Sequence, residues 1–270
     1  MKMNRRNFII KFFIALLGLF IFDIFWFAKY VIQWTTYDLS NSESKIKIVQ
    51  LTDLHINKLK SFHKAIANEI NQELPDLICI TGDSVNSNKG LPVLNQFLNL
   101  ISKEIPKVVI MGNKEYAGKV NINSFKTLIK KHNGQLLINE SLKFSTANRN
   151  LLIIGVDDFI GGDPDFINAS TDYDSSVEAI VLNHCPQYSE EIALLNETQK
   201  VNIKFILSGH THGGQITFLG KAFYKPHGSG RFLRGWYKLN DIRMYVSKGI
   251  GTKYIPIRMG CRAEATIFYV

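Results

Sequence analysis

Beyond residue 44 the chain alternates short apolar runs with segments whose apolar residues recur at helical spacing. Residues 45–51 alternate and close on an apolar stretch, which predicts a strand. Residues 61–74 set Phe62, Ala65, Ile66, Ile70 and Leu74 on one helical face. Runs at 77–81 and 107–111 predict buried strands, with helices at 91–101 and 122–131. Strands follow at 135–138, 151–156 and 179–182, then a helix at 188–196 and a strand opening at Lys204. A Gly-, Asp- and Ser-rich loop fills 161–176, and the pattern is strand-rich at 216–218, 223–225, 231–239, 244–247 and 265–270. Strands alternating with helices predict sheets covered by helices.

The N-terminal pattern is different. Residues 1–11 hold Lys2, Arg5, Arg6 and Lys11 and no acid, and residues 12–28 are apolar except for Asp23. A basic segment before an apolar one is the layout of a signal sequence or signal anchor. Counted from Phe8 to Trp34, the stretch exceeds the ~20 residues that a bilayer span needs. A carboxylate such as Asp23 near the middle of a span costs on the order of 3 kcal/mol. A helix lying in the membrane interface is therefore the competing expectation. Residues 4–11 resemble a twin-arginine export signal, but no small-x-small cleavage site follows them. The expected organisation is an uncleaved anchor over 1–36, a linker over 37–44 and one α/β domain over 45–270. The basic flank places the N-terminus in the cytoplasm, with the anchor in the inner, cytoplasmic, membrane.

In folds of this class ligands bind beyond the carboxyl ends of the strands. The residues at those ends are Asp53, His55, Asp83, Asn113, His184, His210 and His212. Each offers an oxygen or an imidazole nitrogen. In an extended strand His210 and His212 would point to opposite faces, whereas in a glycine-flanked turn they can converge. One His-x-His is an ordinary loop; separate strands all ending in ligand-type residues predict a metal site.

Composition adds less. The formal charge is +9, from 32 Lys+Arg against 23 Asp+Glu, which suits an anionic partner. The expected partners are the lipid bilayer and an anionic, phosphate-containing substrate. The basic residues are spread along the chain, no nucleic-acid partner is expected, and the oligomeric state is open. Three cysteines without Cys-x-x-Cys spacing suggest neither a disulfide framework nor a zinc knuckle.

The ordered motifs Asp53-Leu54-His55, Gly82-Asp83, Gly112-Asn113-Lys114-Glu115, His184 and Gly209-His210-Thr211-His212 resemble the calcineurin-like metallophosphoesterase family. Gly213-Gly214-Gln215 and residues 247–252 are similar to its membrane-associated branch, whose bacterial relatives include UDP-2,3-diacylglucosamine hydrolases of lipid A synthesis. The resemblance implies a four-layer α/β/β/α sandwich, two mixed sheets between helices. It implies one divalent ion held by Asp53, His55, Asp83 and His212, and a second held by Asp83, Asn113, His184 and His210. Such a set suits Mn foremost, with Fe, Zn or Mg as alternatives. Two ions would acidify a water and clamp the phosphoryl oxygens of an in-line displacement. Asp83, Asn113, His184 and Lys114 take the catalytic positions.

Lys114 departs from the pattern, because the family's usual residue there is a histidine that is thought to protonate the leaving group. A lysine, with a pKa of about 10.4, is a poor acid near neutrality and a good cation for phosphate. A phosphate leaving group, with a pKa near 6, departs without an acid more readily than an alkoxide does. The expected substrate is a lipid-linked pyrophosphate such as UDP-2,3-diacylglucosamine. The alternatives are a broad phosphodiesterase or phospholipid esterase, or a metal-binding scaffold with impaired activity. Lys225, His227, Arg231 and Arg234 are expected to contact phosphate or a headgroup. Asn57 and Asn86 are expected to cap loops and His63 and His132 to lie at the surface. Arg258 and Arg262 are read either as substrate contacts or as structural.

Overall fold

The computed structural model describes residues 4–40, 43–171 and 173–270. Its strands are β1 (Gln33–Asp38), β2 (Lys47–Leu51), β3 (Leu77–Thr81), β4 (Lys107–Ile110), β5 (Gly134–Leu137), β6 (Glu140–Ser145), β7 (Asn150–Gly155), β8 (Glu178–Leu182), β9 (Ile203–Ser208), β10 (Thr217–Phe218), β11 (Lys221–Ala222), β12 (Gly235–Leu239), β13 (Ile242–Val246) and β14 (Glu264–Tyr269). One six-stranded sheet runs β1-β14-β2-β3-β4-β5 and the other β12-β13-β9-β8-β7-β6. Each mixes parallel and antiparallel pairs: β2 runs with β3 but against β14, and β7 runs with β8 but against β6.

The apolar runs of the central strands follow from burial on both faces. Ile48, Leu77 and Cys79 meet Ile153, Ile180 and Leu207 between the sheets. Val49, Ile78 and Ile80 point the other way, onto the helices Ser61–Glu73, Leu91–Leu98 and Ile122–Lys131. On the outer face of the second sheet, Ile154, Val181 and Ile206 pack with Ile192 of the helix Tyr188–Gln199. The result is the expected α/β/β/α sandwich.

Several elements differ from the sequence pattern. Gln33–Asp38, read as the end of the apolar segment and the start of a linker, forms the edge strand β1, parallel to β14. Thr35 donates its hydroxyl to Glu264 across that pair. Residues 140–145, unassigned in the pattern, form β6 against β7. The strand expected at 223–225 is a loop, and the short hairpin lies just before it at β10 and β11.

The apolar N-terminal segment is a helix, α1 (Arg5–Phe22), with no buried residue. Its 18 residues reach about 27 Å at 1.5 Å per residue, near the ~30 Å of a bilayer's hydrocarbon. It is long and apolar enough to cross a membrane. Asp23 follows α1 directly and opens a π-turn, Asp23–Phe27, through which the helical run continues to Tyr30 and into the domain. There the carbonyl of Ile24 accepts the backbone N–H of Arg258 at 3.2 Å, and that of Ala28 accepts the N–H of Ala263 at 2.8 Å. Arg262 donates to the carbonyls of Val31 and Ile32 and stacks over Phe27.

His63 and His132 are buried, not at the surface. His63 Nδ1 accepts the N–H of Lys60 at the start of its helix, and its ring packs on Phe62 and Phe97. His132 Nε2 pairs with Asn95 Oδ1 at 2.9 Å. Burial, with the Lys60 charge, pulls the His63 imidazole down to about 4. The unfolded chain therefore binds the proton first, near pH 6.5, and stability falls as pH drops from there toward 4. Chemical unfolding in detergent should show about 2–3 kcal/mol less stability at pH 4.5 than at pH 7 from this residue. In His63→Asn that part of the pH dependence should vanish; an unchanged slope would refute the assignment.

Candidate metal centre

At the ends of β2, β3 and β9 the chain turns through the left-handed region. Asp53 has φ 53°, His55 44°, Asp83 51°, His210 69° and His212 52°. Residues other than glycine adopt this conformation rarely, and such positions cluster at functional sites. The turns bring side chains from separate strands into one buried cluster. Two glycines are required there by close approach. A Cβ on Gly209 would stand 2.0 Å from Thr52 Oγ1, and one on Gly112 would stand 2.4 Å from the Asp83 nitrogen.

The cluster has two halves that share Asp83. In the first, His55 Nε2 lies 3.1 Å from His212 Nε2 and 3.5 Å from Asp83 Oδ2, while His212 Nε2 lies 3.4 Å from Asp53 Oδ1. In the second, His184 Nε2 lies 3.4 Å from Asp83 Oδ1 and 3.3 Å from His210 Nδ1, which is 3.0 Å from Asn113 Oδ1. His210 and His212 thus face different halves.

The outer nitrogens fix which ring atom faces inward. His184 Nδ1 donates to the Thr81 carbonyl at 2.8 Å, His210 Nε2 to the His227 carbonyl at 2.6 Å, and His55 Nδ1 to Asn86 Oδ1 at 2.7 Å. Each leaves the opposite nitrogen facing the cluster, the arrangement that second-sphere partners impose on metal-binding histidines. Ring nitrogens and carboxylate oxygens then face one another across the cluster. Asp53 Oδ1, 3.4 Å from His212 Nε2, is buried without a hydrogen-bond partner among the described residues. Such an unpaired acceptor is costly unless a cation lies against it. The mixed N/O set fits divalent transition ions.

Charge points the same way. Burial raises the Asp53 carboxyl, with the Asp83 carboxylate adding to it. Burial opposes the charged form of His184, but Asp83 outweighs it and holds the imidazole up at about 10. Burial and the His184 charge pull His210 down to about 3. Cys185 also lies within reach of His184 and His210. Its thiol is pushed up by burial and donates to Asp158 Oδ1 at 3.2 Å, so it stays protonated.

The supporting shell contains Glu115 and Cys261, with no role assigned from sequence, and Arg258, whose structural reading holds. Glu115 accepts the N–H groups of Asp83, Gly112 and Val85 at 3.1, 3.0 and 2.9 Å. It thereby ties the β3 turn to the β4 turn. Burial beside Asp83 pushes its carboxyl up, to about 8, against those three donors. Arg258 is buried among the carbonyls of Lys248, Gly249 and Gly251. Cys261 donates its thiol to the His212 carbonyl at 3.2 Å. The Gly112-to-Glu115 spacing is the available signal for Glu115; nothing local in the sequence marks Cys261 or separates the two readings of Arg258.

Lys114 donates its backbone N–H to Asp83 Oδ1 at 2.7 Å, and with His55 it lines an open cavity of about 340 Å³. The other expected substrate contacts are directed elsewhere. His227 meets the cluster through its carbonyl. Lys225 bonds the Gly230 carbonyl, Arg231 pairs with Glu190 at 3.0 Å, and Arg234 donates to the carbonyls of Gly213 and Gly260.

The profile of the calcineurin-like phosphoesterase family matches residues 46–214. An uncharacterized metallophosphoesterase of Campylobacter jejuni is 32% identical over 85% of this chain and 60% of its own length. Another, from Bacillus subtilis, is 28% identical over 99% of this chain and 97% of its own. Among solved structures, a Thermus thermophilus sulfate thiohydrolase superposes with a TM-score of 0.51 at 11% identity, over 86% of this chain and 57% of that one. That last likeness is one of fold.

Proposed function

The chain belongs to the calcineurin-like phosphoesterase family of metal-dependent hydrolases, and from that premise we propose that it cleaves a lipid-linked pyrophosphate at a two-ion centre. UDP-2,3-diacylglucosamine is the example its chemistry fits. The observation that carries the two-ion reading is the pair of half-sites around Asp83, each closed by ring nitrogens that face one another. Asp53, His55, Asp83 and His212 would hold one ion, and Asp83, Asn113, His184 and His210 the other, with Mn foremost. Such ions supply an activated water at neutral pH and charge stabilisation on the phosphoryl oxygens.

The protein's own groups do the rest. The carbonyl of Thr81 and the amide of Asn86 lock the His184 and His55 rings. Glu115 holds Asp83 at the junction of the halves. Lys114, at the open cavity beside His55, supplies a cation for a substrate phosphate. With a fixed cation in place of the family's usual histidine, the site suits a phosphate leaving group, which departs without a general acid more readily than an alkoxide does. The exposed apolar α1 supports an amphiphilic substrate met at a membrane.

The test is turnover by purified full-length protein after chelation and Mn re-addition, on the UDP lipid and on an alkyl phosphodiester. The UDP lipid should be cleaved faster; much faster cleavage of the diester would overturn the substrate reading, and turnover of neither would leave a metal-binding scaffold. Lys114→His should raise alkyl diester cleavage at least about tenfold by restoring a general acid, while pyrophosphate cleavage falls.

A further inference from the structure

The β10–β11 hairpin is tied to the domain at its base, where Thr217 is buried against Met259 and Gly260, while its tip projects free of the core. Phe218 and Leu219 at its tip are exposed, Leu219 to 87%. Leu219 also sits at φ 48°, followed by Gly220 at φ 79°. A tight hairpin turn of this kind prefers Asn or Gly at the first position, and a bulky leucine there works against the fold. Phe223, Tyr224, Tyr254 and Ile255 extend the same exposed apolar surface. With Thr211 and His212 they line a groove of about 250 Å³ that leads from this rim to the metal cluster.

Two further observations say what covers the rim. Lys221, Lys225 and Lys253 are interleaved with the apolar residues, and neither 209–234 nor 247–262 contains an acid. The segment beside the rim also reaches the foot of α1. Met259 bridges to Ile216 and accepts the N–H of Thr217, while the next residue back, Arg258, donates its N–H to Ile24. Lys29 at the helix foot donates to the Pro256 carbonyl. The hairpin therefore stands on the side of the domain from which the apolar helix emerges. Aromatic and aliphatic side chains framed by lysines suit the headgroup boundary of an anionic bilayer.

We propose that the rim formed by Phe218, Leu219, Phe223, Tyr224, Tyr254 and Ile255 is a second membrane contact, which seats the mouth of the metal centre on an anionic lipid surface. This rests on the reading of α1 as a membrane span. The lysines would lie against lipid phosphates and the apolar tips just beneath them, so the groove opens at the depth where a lipid phosphoester lies.

The three native cysteines are buried, so a cysteine placed at the surface can be labelled selectively. Leu219→Cys and Thr198→Cys, in the full-length protein, would each carry an environment-sensitive dye. Thr198 lies at the end of the helix Tyr188–Gln199, which runs back from the β8 end of the site. In phosphatidylglycerol-rich vesicles with nitroxide-labelled lipids, the dye at 219 should be blue-shifted and quenched several-fold more than at 198. The difference should shrink in phosphatidylcholine vesicles. Carbonate extraction, run in parallel, reports whether α1 inserts. Equal, water-like signals at 219 and 198 in protein that resists extraction would overturn the rim contact while leaving the span intact. Protection that rises with protein-to-lipid ratio would assign the rim to a second copy and also overturn it. Leu219→Asn restores the preferred turn residue, so it should fold normally. It should lower turnover of a vesicle-embedded phosphoester several-fold and leave turnover of a soluble one unchanged; equal turnover of both would count against the contact.

Discussion

Asp83→Asn is expected to lower metal-dependent turnover by ~10³-fold or more, equivalent to about 4 kcal/mol or more of transition-state stabilisation. Among the described residues, Asp83 is the one whose two carboxylate oxygens face the two half-sites, Oδ2 toward His55 and Oδ1 toward His184. Asparagine keeps an acceptor for the Lys114 N–H, which Asp83 Oδ1 takes at 2.7 Å, and it keeps the shape. It loses the charge that a shared cation needs. The substitution also removes the carboxylate whose charge, after burial, raises the Asp53 carboxyl. Thermal melting separates loss of metal from loss of fold. In the presence of chelator the variant should melt close to the parent. Added Mn should then raise the parent's melting point, by the equivalent of about 2.7 kcal/mol at a hundredfold excess over the dissociation constant, and leave the variant unmoved. A variant that still responds to Mn and retains turnover would remove Asp83 from the centre.

The parts of this centre that sequence revealed are those where chemistry breaks a pattern. Asp53, Asp83, His184 and His210 each interrupt the end of an apolar run, and a strand that ends in a ligand-type residue is visible without a structure. Their grouping into halves was legible only through family resemblance, because it depends on turns with positive φ at residues that local preference would not place there. The basic residues were harder. Arg231, Arg234 and Arg258 all lie near the glycine-rich turns, and sequence cannot separate a guanidinium aimed at phosphate from one aimed at main-chain carbonyls. Three-dimensional packing decides this, and here Arg234 and Arg258 bind carbonyls while Arg231 pairs with Glu190. β1 was hidden for a related reason. Its partner β14 lies at the other end of the chain, and the strand follows directly on an apolar helix that absorbed its first residues into one long run. Asp23 interrupts the apolar run where the helix changes to a π-turn, and the helical run continues through it to Tyr30.

Arg258→Met should destabilise the folded domain by about 2–5 kcal/mol, from buried carbonyls left unpaired at about 1–3 kcal/mol each. Arg258 is fully buried. Its Nη2 donates to the carbonyls of Lys248, Gly249 and Gly251 at 2.9, 2.9 and 2.6 Å, and its Nη1 reaches the His212 carbonyl at 3.5 Å. Methionine fills much of the volume and removes the donor from the Lys248 and Gly251 carbonyls, while the Gly249 carbonyl keeps the Glu264 N–H and the His212 carbonyl keeps the Gln215 N–H and the Cys261 thiol. The loop they belong to is bound in turn to the first motif. Ile250 donates its N–H to the Thr52 carbonyl at 3.1 Å and Gly251 to the Asp53 carbonyl at 2.7 Å. Loosening it should therefore free both Asp53 and His212, which face each other across one half of the cluster, while His184 and Asn113 in the other half keep their supports. Metal titration should show one weakened and one retained affinity in Arg258→Met, beyond the fall in melting temperature. Arg258→Lys tests the geometry: one ammonium keeps the charge but cannot reach so many carbonyls from a planar fork, so it should recover only part of the stability. If the methionine variant melted like the parent, or weakened both metal affinities equally, the coupling of this arginine to the Asp53 half would be refuted.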